Sequence, residues 1–163
     1  MSTQTRTALS FDELKLAEFP HWTLYLHANQ HYLGRAYAWL RREGKVDFLD
    51  LTPAEHSELF NIVLPRLVHA YERVFCLDKS STGPDLLNYQ WLCNELSHGH
   101  HGHLHVTPRF RDQRSLGGYS FSDSHFGYAP LSSKETPPRS KEVTWLIHYV
   151  LQKELACKRK ALP

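Results

Sequence analysis

Histidine is the residue type whose distribution in this sequence could support chemistry. The chain of 163 residues contains 12 histidines, so a window of eight residues would hold about 0.6 of them by chance. The window 98–105 contains His98, His100, His101, His103 and His105. Because imidazole titrates near neutral pH, such a group can supply a nucleophile, a hydrogen-bond donor and a proton. The functional site is therefore expected in this window.

Three of these histidines alternate with other residues in the run HGHLHV. In a strand, His101, His103 and His105 would project from one face, about 6.6 to 6.8 Å apart, with Leu104 and Val106 on the opposite face. Zinc needs nitrogen ligands at about 2.0 to 2.1 Å. Since the first and third histidines lie about 13 Å apart along a strand, no metal is assigned to this row. Its length instead suits an extended anion such as a di- or polyphosphate.

The elements that would position the row are read from hydrophobic patterns. Residues 22–28 and 35–42 read as two antiparallel strands joined by NQHYLG. Thr52-Pro53 starts a predicted helix of about 23 residues with one apolar face. Residues 86–93 read as a strand that leads through a glycine-containing loop to the histidines. The expected fold class is α+β, with an antiparallel sheet, one long helix packed on it and a C-terminal amphipathic helix.

The remaining segments complete a single domain over residues 1–163. Residues 1–9 are expected to be mobile. Ser10 and Glu13 have capping-box spacing, which predicts a short helix at about 11–18 that Pro20 ends. Residues 111–138 are expected to be a long irregular segment, and residues 139–160 the C-terminal helix.

Composition excludes several classes of protein. The net charge of +2 is far from the basic excess of a nucleic-acid-binding protein. Cys76, Cys93 and Cys157 form no CxxC pair, which argues against a disulfide framework and a zinc ribbon. The start of the chain has no apolar targeting region, and no apolar run approaches the roughly 18 residues of a membrane span. We therefore expect a cytoplasmic protein without nucleic-acid or membrane partners.

Residues 101–109, HGHLHVTPR, resemble the motif of the histidine triad family, His-φ-His-φ-His-φ-φ with φ apolar, including its frequent Pro-Arg extension. The resemblance extends over residues 20–110: a strand pair, a helix starting LTPAEHSEL, and a strand ending in Asn94. Two positions depart from the pattern. Gly102 occupies an apolar position of the motif, and the pair Gly34-Arg35 stands where many members have a further histidine.

The resemblance implies a histidine-triad-like fold and a nucleotide hydrolase or nucleotidyltransferase. His103 would attack the α-phosphorus to give a nucleotidyl-histidine intermediate. His105 would lie near the bridging atom and help the leaving group depart, and His101 would orient the row and bind phosphate oxygens. The implied substrate is a dinucleoside polyphosphate or a nucleoside phosphoramidate. No cofactor is implied, and a homodimer is expected.

The resemblance also suggests substrate-binding residues outside the row. Asn94 matches a position that contacts the phosphate region, and His27 and Asn29 lie near where members of the family hold the ribose. Arg35 either contacts phosphate or is a solvated strand residue. His98 either touches a phosphate, joins a triad histidine on a metal, or is an exposed loop residue.

The sequence leaves an alternative function open, namely a non-catalytic nucleotide- or metal-binding protein that uses the His-rich loop. Two further groups of residues are candidates for the site. Trp22, Trp39, Trp91 and Tyr89 are expected to be core residues rather than a surface for a nucleobase. Arg109 either reaches phosphate or forms a surface ion pair.

Overall fold

The computed structural model describes residues 9–75, 83–96 and 99–157, with the side chains of residues 94–96 and 99–100 excepted. The expectations for residues 1–8, Cys76, His98 and the end of the chain from residue 158 therefore lie outside the described residues.

Five strands form the main sheet, in the order β1-β2-β3-β5-β4 with every neighbouring pair antiparallel. They are β1 (Lys15–Glu18), β2 (Trp22–Leu26), β3 (Ala36–Leu40), β4 (Leu86–Leu96) and β5 (Gly99–Arg109). The two antiparallel strands predicted at residues 22–28 and 35–42 correspond to β2 and β3, which form a hairpin. The histidine strand β5 lies between β3 and β4.

One face of this sheet carries the hydrophobic core. On β3, Ala36, Ala38 and Leu40 are all 0% exposed, whereas Tyr37 and Trp39 between them are only half-buried. On β5, Leu104 and Val106 belong to the same core. Because strand residues alternate between faces, the three histidines project from the face away from the core.

The long helix runs over residues 53–74, which confirms the predicted helix to within one residue. It comprises α1 (Pro53–Glu58), a π-helical turn (Leu59–Val63) and α2 (Leu64–Val74). Thr52 and Glu55 form a capping box at its start. In the wide turn the amide of Leu64 donates to the carbonyl of Leu59. Pro65 follows immediately, where the hydrogen-bond spacing changes from that of a π-helix to that of an α-helix. Because proline has no N–H, this change leaves no backbone donor unpaired at residue 65.

The predicted C-terminal helix is α3 (Lys141–Ala156), capped by the hydroxyl of Ser140. His148 Nε2 lies 2.8 Å from the carbonyl oxygen of Lys15, which ties α3 to β1. None of the helices in the described ranges is both long enough and apolar enough to cross a membrane.

The predicted helix at 11–18 is wrong. The capping interaction exists, since Ser10 N–H and hydroxyl both donate to the Glu13 carboxylate. However, only one 3-10 turn (Asp12–Leu14) follows it, and the chain continues as β1. Leu14 and Leu16 are both buried, at the spacing of two that a strand gives. Pairing with β2 therefore outweighs the local helix signal.

The segment 111–138 is irregular apart from one hairpin. Strands β6 (Arg114–Leu116) and β7 (Tyr119–Phe121) pair across Gly117 and Gly118, whose φ angles are 56° and 84°. These positive φ values are the reason that glycine occupies both turn positions.

Candidate functional site

The three alternating histidines form one row on the open face of the sheet. In the strand register His103 lies between Trp39 on β3 and Leu92 on β4, and His105 lies opposite Tyr37 on β3. The ring centroids of His103 and His105 are 5.0 Å apart. Imidazoles at this spacing can contact neighbouring oxygens of one phosphate group or phosphate chain.

His103 is held in a defined tautomer. Its Nδ1 lies 3.2 Å from the carbonyl oxygen of His101. Because a carbonyl only accepts hydrogen bonds, Nδ1 carries the hydrogen and Nε2 keeps a free lone pair. The Trp39 ring stacks on the imidazole, with centroids 5.1 Å apart and planes 20° apart. Burial lowers the pKa of His103, so the ring is neutral, and hence nucleophilic, at neutral pH.

His105 and His27 form the end of the row nearest the β2–β3 turn, with ring centroids 5.7 Å apart. Burial, together with repulsion from positive charge on His103, His27 and Arg35, lowers the pKa of His105 to about 3. Burial and then Arg35 likewise lower the pKa of His27 to about 4. Both rings are therefore uncharged at neutral pH.

Arg35 supplies a positive charge at this end of the row. Its carbonyl accepts hydrogen bonds from the backbone of His27 and the side chain of Gln30, which fixes the backbone at the start of β3. Ala36, the next residue, faces the core, so Arg35 faces the histidines. The residue is 8% exposed, and its Nε has no hydrogen-bond partner among the described residues. Of the two alternatives open for Arg35, the solvated strand residue is wrong.

Asn29 lies beside His27, but its amide is engaged within the chain. The Nδ2 group donates to the carbonyls of Ser133 and Thr136 and to the Thr136 hydroxyl, at 3.0 to 3.3 Å. Its Oδ1 accepts from the amide of His31. Asn29 thus fastens the end of the irregular segment to the turn that carries His27.

Two other predicted site residues are only partly described. Asn94 lies on β4 in register with His101, so its backbone is next to the row, while its side chain is outside the described part. His98 lies outside the described residues altogether.

An aromatic surface adjoins the row, and sequence reasoning missed it. Phe11 packs over Tyr25 with ring centroids 4.0 Å apart and against Trp39 at 5.1 Å, and Tyr37 lies beside them. Trp39 is therefore not a core residue, contrary to expectation, and neither is Tyr89, which is exposed, although Trp22 is. The signal was present in the sequence, because Tyr25, Tyr37 and Trp39 alternate with core residues on β2 and β3.

Gly102 has a packing reason for departing from the motif. A Cβ atom at this position would lie 2.5 Å and 2.9 Å from atoms of the Trp91 indole and 3.1 Å from the carbonyl oxygen of Val46. Trp91 therefore fills the space that an apolar side chain would need. The glycine leaves the direction of the flanking histidines unchanged, since β5 stays paired with β4 through this point.

Arg109, at the end of β5, is neither exposed to solvent nor directed at the histidine row. Its side chain is buried and pairs with the Asp123 carboxylate, and it also donates to Asn88 and to the carbonyls of Tyr128 and His125. It holds the irregular segment against the sheet. Both alternatives stated for it, phosphate contact and a surface ion pair, are wrong.

The site is cationic and has no acidic side chain paired with its arginine among the described residues, which suits an anionic ligand. Within the same part of the chain, no three His, Cys, Asp or Glu side chains come together in a way that could hold a metal ion.

The architecture is similar to solved structures of histidine triad proteins. A histidine triad protein from Bradyrhizobium japonicum superimposes with a TM-score of 0.55 at 16% identity, covering 94% of this chain and 97% of that one. A hypothetical histidine triad nucleotide-binding protein from Sulfolobus tokodaii strain7 gives a TM-score of 0.54 at 13% identity, covering 87% and 83%. No sequence-family model matches the chain, and comparison with curated proteins gives no relative. The resemblance read from residues 101–109 is thus confirmed at the level of the fold: the chain has the α+β fold of the histidine triad proteins.

Proposed function

We propose that this protein is a nucleotide hydrolase or nucleotidyltransferase that acts at the α-phosphate of a nucleotide derivative. The observation that carries the proposal is the hydrogen bond from His103 Nδ1–H to the His101 carbonyl, and burial lowers the pKa of the same imidazole. Its Nε2 lone pair is free for attack on phosphorus. The fold supports the same kind of ligand, since the Sulfolobus protein is described as nucleotide-binding.

In the first step, His103 Nε2 would attack the α-phosphorus. A P–N bond forms, and the bond from phosphorus to the leaving group breaks, with its electron pair going to the leaving group. The imidazole gains positive charge as the bond forms. The hydrogen bond from Nδ1–H to the His101 carbonyl stabilises that charge, as an orienting acceptor does in other covalent catalysts.

Phosphoryl transfer depends mainly on positioning and on neutralising the phosphate oxygens. Arg35 supplies a fixed positive charge that acts on His27 and His105, and His101 and Asn94 are proposed as further donors to phosphate oxygens. His105 is proposed beside the bridging atom. His98 is proposed as a phosphate contact from its place in the sequence alone.

The nucleoside is assigned to the β2–β3 side of the face. His27 is proposed to contact the ribose, while Asn29 would act by holding residues 133–136 next to it. The surface formed by Phe11, Tyr25, Tyr37 and Trp39 offers ring faces on which a base can pack.

In the second step, water or phosphate would attack the phosphorus of the intermediate. The P–N bond breaks and its electron pair returns to Nε2 of His103, which restores the neutral ring. When water is the acceptor, it gives up a proton to solvent and the product is a nucleoside monophosphate. Splitting the displacement in two in this way replaces one difficult step by two easier ones.

A test is to incubate the protein with a panel of dinucleoside polyphosphates and nucleoside phosphoramidates and to search for a nucleotidyl adduct by mass spectrometry after acid-free quenching. The adduct should map to His103 and disappear in His103→Asn. The variant His56→Asn, which changes an exposed histidine on α1, is the matched control and should behave as wild type. No adduct and no turnover across the panel would exclude the proposal.

The second function, binding without catalysis, predicts a different result in the same experiment. A nucleotide would then bind to wild type and to His103→Asn equally, and neither would form an adduct. Metal analysis of untagged protein tests its other form, in which the His-rich loop holds zinc.

We further propose a homodimer that forms along β4. In the described residues no strand pairs with the outer edge of β4. Next to that edge, on the core side of the sheet, an apolar pocket of about 790 Å³ is lined by residues that include Phe60, Leu64, Val68 and Tyr89. Light scattering across a range of protein concentrations tests this, with Tyr89→Glu expected to shift the mass to that of a monomer.

A further inference from the structure

Arg35 is a buried cation that faces the histidine row without a counter-ion among the described residues. In that part of the chain its Nε also has no hydrogen-bond partner. Arg114 Nε likewise lacks a partner there, but the other buried arginines each have a carboxylate nearby, since Arg109 pairs with Asp123 and Arg114 lies 3.9 Å from Asp85. A buried charge is costly unless it is paired. A ligand that brings negative charge to this point is therefore the expected partner of Arg35.

Among the residues that the structure describes, none that faces His105 would keep a proton on its imidazole. The groups that face it are Tyr37 from β3, Gln90 from β4, His103 on its own strand, and His27 and Arg35 from the ends of the β2–β3 turn. Burial lowers the pKa values of His27, His103 and His105 and raises that of Tyr37, so all four are neutral near pH 7. The guanidinium of Arg35 stays charged. Among these neighbours, only Arg35 is charged, and its sign opposes protonation of His105.

This arrangement matters for the chemistry of the leaving group. The nitrogen of a phosphoramidate must be protonated before it can depart as an amine, so it needs a general acid. The oxygen of a phosphoanhydride departs as a weakly basic phosphate anion that needs no proton, only neutralisation of its charge. A permanent cation beside a neutral imidazole neutralises the charge of a departing phosphate. The same cation opposes protonation of the imidazole, which a departing amine would need as its general acid.

Building on the proposed transfer to His103, we propose that Arg35 restricts the site to phosphoanhydride substrates, such as dinucleoside polyphosphates, and disfavours nucleoside phosphoramidates. With a phosphoanhydride substrate, Nε2 of His103 bonds to the α-phosphorus and the bond from phosphorus to the bridging oxygen breaks. The electron pair stays on that oxygen. Arg35 faces the negative charge at this end of the row, and no proton passes from His105.

The test compares single-turnover formation of the His103 adduct from three probes at pH 7. They are diadenosine tetraphosphate, adenosine 5′-phosphoramidate and adenosine 5′-(p-nitrophenyl) phosphate, together with their guanosine counterparts. Wild type should react with the tetraphosphate about a hundredfold faster than with the phosphoramidate. In Arg35→Gln this ratio should fall by about tenfold or more, and in Arg35→Lys it should stay close to the wild-type ratio because the charge is kept. Arg111→Gln, which removes an exposed arginine, should leave the ratio unchanged.

A measurement without substrate separates the electrostatic role from a packing role. Imidazole NMR should find His105 neutral in wild type down to about pH 5, and its pKa should rise by about one unit in Arg35→Gln. Thermal unfolding would establish that this variant is folded. A His105 that titrates between pH 6 and 7 in wild type would overturn the proposal, as would a substrate ratio that Arg35→Gln does not change.

The p-nitrophenyl ester distinguishes failure of this inference from failure of the proposed function, because its leaving group needs neither a proton nor a phosphate contact. An adduct from the ester, combined with a phosphoramidate that reacts as fast as the tetraphosphate, would overturn the role of Arg35 alone. No adduct from any of the three probes would overturn the proposed function and this inference together.

Discussion

The indole of Trp39 lies parallel to the imidazole of His103, with the ring centroids 5.1 Å apart and the planes 20° apart. The two residues are directly opposite each other on β3 and β5. The stacked indole limits rotation of the imidazole, while the hydrogen bond to the His101 carbonyl fixes its tautomer. The candidate nucleophile is thus oriented by a side chain that sequence reasoning had assigned to the core.

Replacing Trp39 should therefore impair the chemistry more than the binding. We expect Trp39→Ala to slow formation of the His103 adduct by about tenfold or more. Without the indole, the His103 imidazole can rotate away from the orientation in which it attacks phosphorus, and a reacting group that is less well positioned reacts more slowly. Trp39→Phe, which keeps an aromatic plane, should retain most of the rate. Single-turnover kinetics measures this, and an Ala variant as fast as the Phe variant would show that stacking does not orient His103.

A side chain at position 102 should destabilise the fold only when Trp91 is present. Gly102→Ala puts a methyl group 2.5 Å from the Trp91 ring, and we expect it to destabilise the fold by about 1 to 3 kcal/mol through overpacking. In a Trp91→Leu background the same substitution should cost much less. A double-mutant cycle by urea unfolding measures the difference, and additive costs would mean that the indole is not the obstacle.

The two histidines nearest Arg35 should make stability depend on pH. The folded-state pKa values of about 4 for His27 and about 3 for His105 lie below the ordinary value of 6.5. Between these values the unfolded chain binds more protons than the folded protein, so stability falls as pH decreases from 6.5 towards 4. Each histidine contributes up to about 1.4 kcal/mol per pH unit in that window.

Urea unfolding of wild type and His105→Asn at pH 7, 6, 5 and 4.5 tests this dependence. The variant should lose less stability than wild type as the pH falls, whereas His56→Asn, at an exposed position, should follow wild type. Equal slopes for His105→Asn and wild type would contradict the lowered pKa of His105.

Arg109 should be required to hold the irregular segment. Arg109→Met leaves the Asp123 carboxylate buried without its partner, which we expect to cost about 3 to 5 kcal/mol. Limited proteolysis should then cut first within residues 122–130, where the carbonyls of His125 and Tyr128 lose their donor. Arg41→Gln, which removes an exposed arginine that pairs with Glu18 on β1, is the control. The double variant Arg109→Met/Asp123→Leu should recover part of the stability, and cleavage elsewhere first would argue against this role.

The parts of the structure that follow from alternation could be predicted from the sequence. The row of His101, His103 and His105 depends only on residues two apart sharing a face of a strand. The helix from Pro53 was predictable for the same kind of reason, a local cap followed by an apolar stripe. These patterns act over a few residues, so they are visible without the tertiary structure.

Features set by contacts distant in sequence were not predictable. Residues 15–18 have a helix cap before them, yet pairing with β2 makes them a strand. Arg35 was ambiguous until the burial of Ala36 fixed the direction in which it points. Arg109 was misjudged because its partner Asp123 belongs to a segment without periodicity.

The side-chain amide of Asn29 donates hydrogen bonds to Ser133 and Thr136, which lie 104 and 107 residues further along the chain. A fragment that stopped before residue 131 would retain the whole histidine motif while leaving this amide without its acceptors, beside the turn that carries His27. Sequence searches that score the motif alone would rate such a fragment as intact. An expression clone of this protein should for that reason extend past Thr136, even though the recognisable motif ends at Arg109.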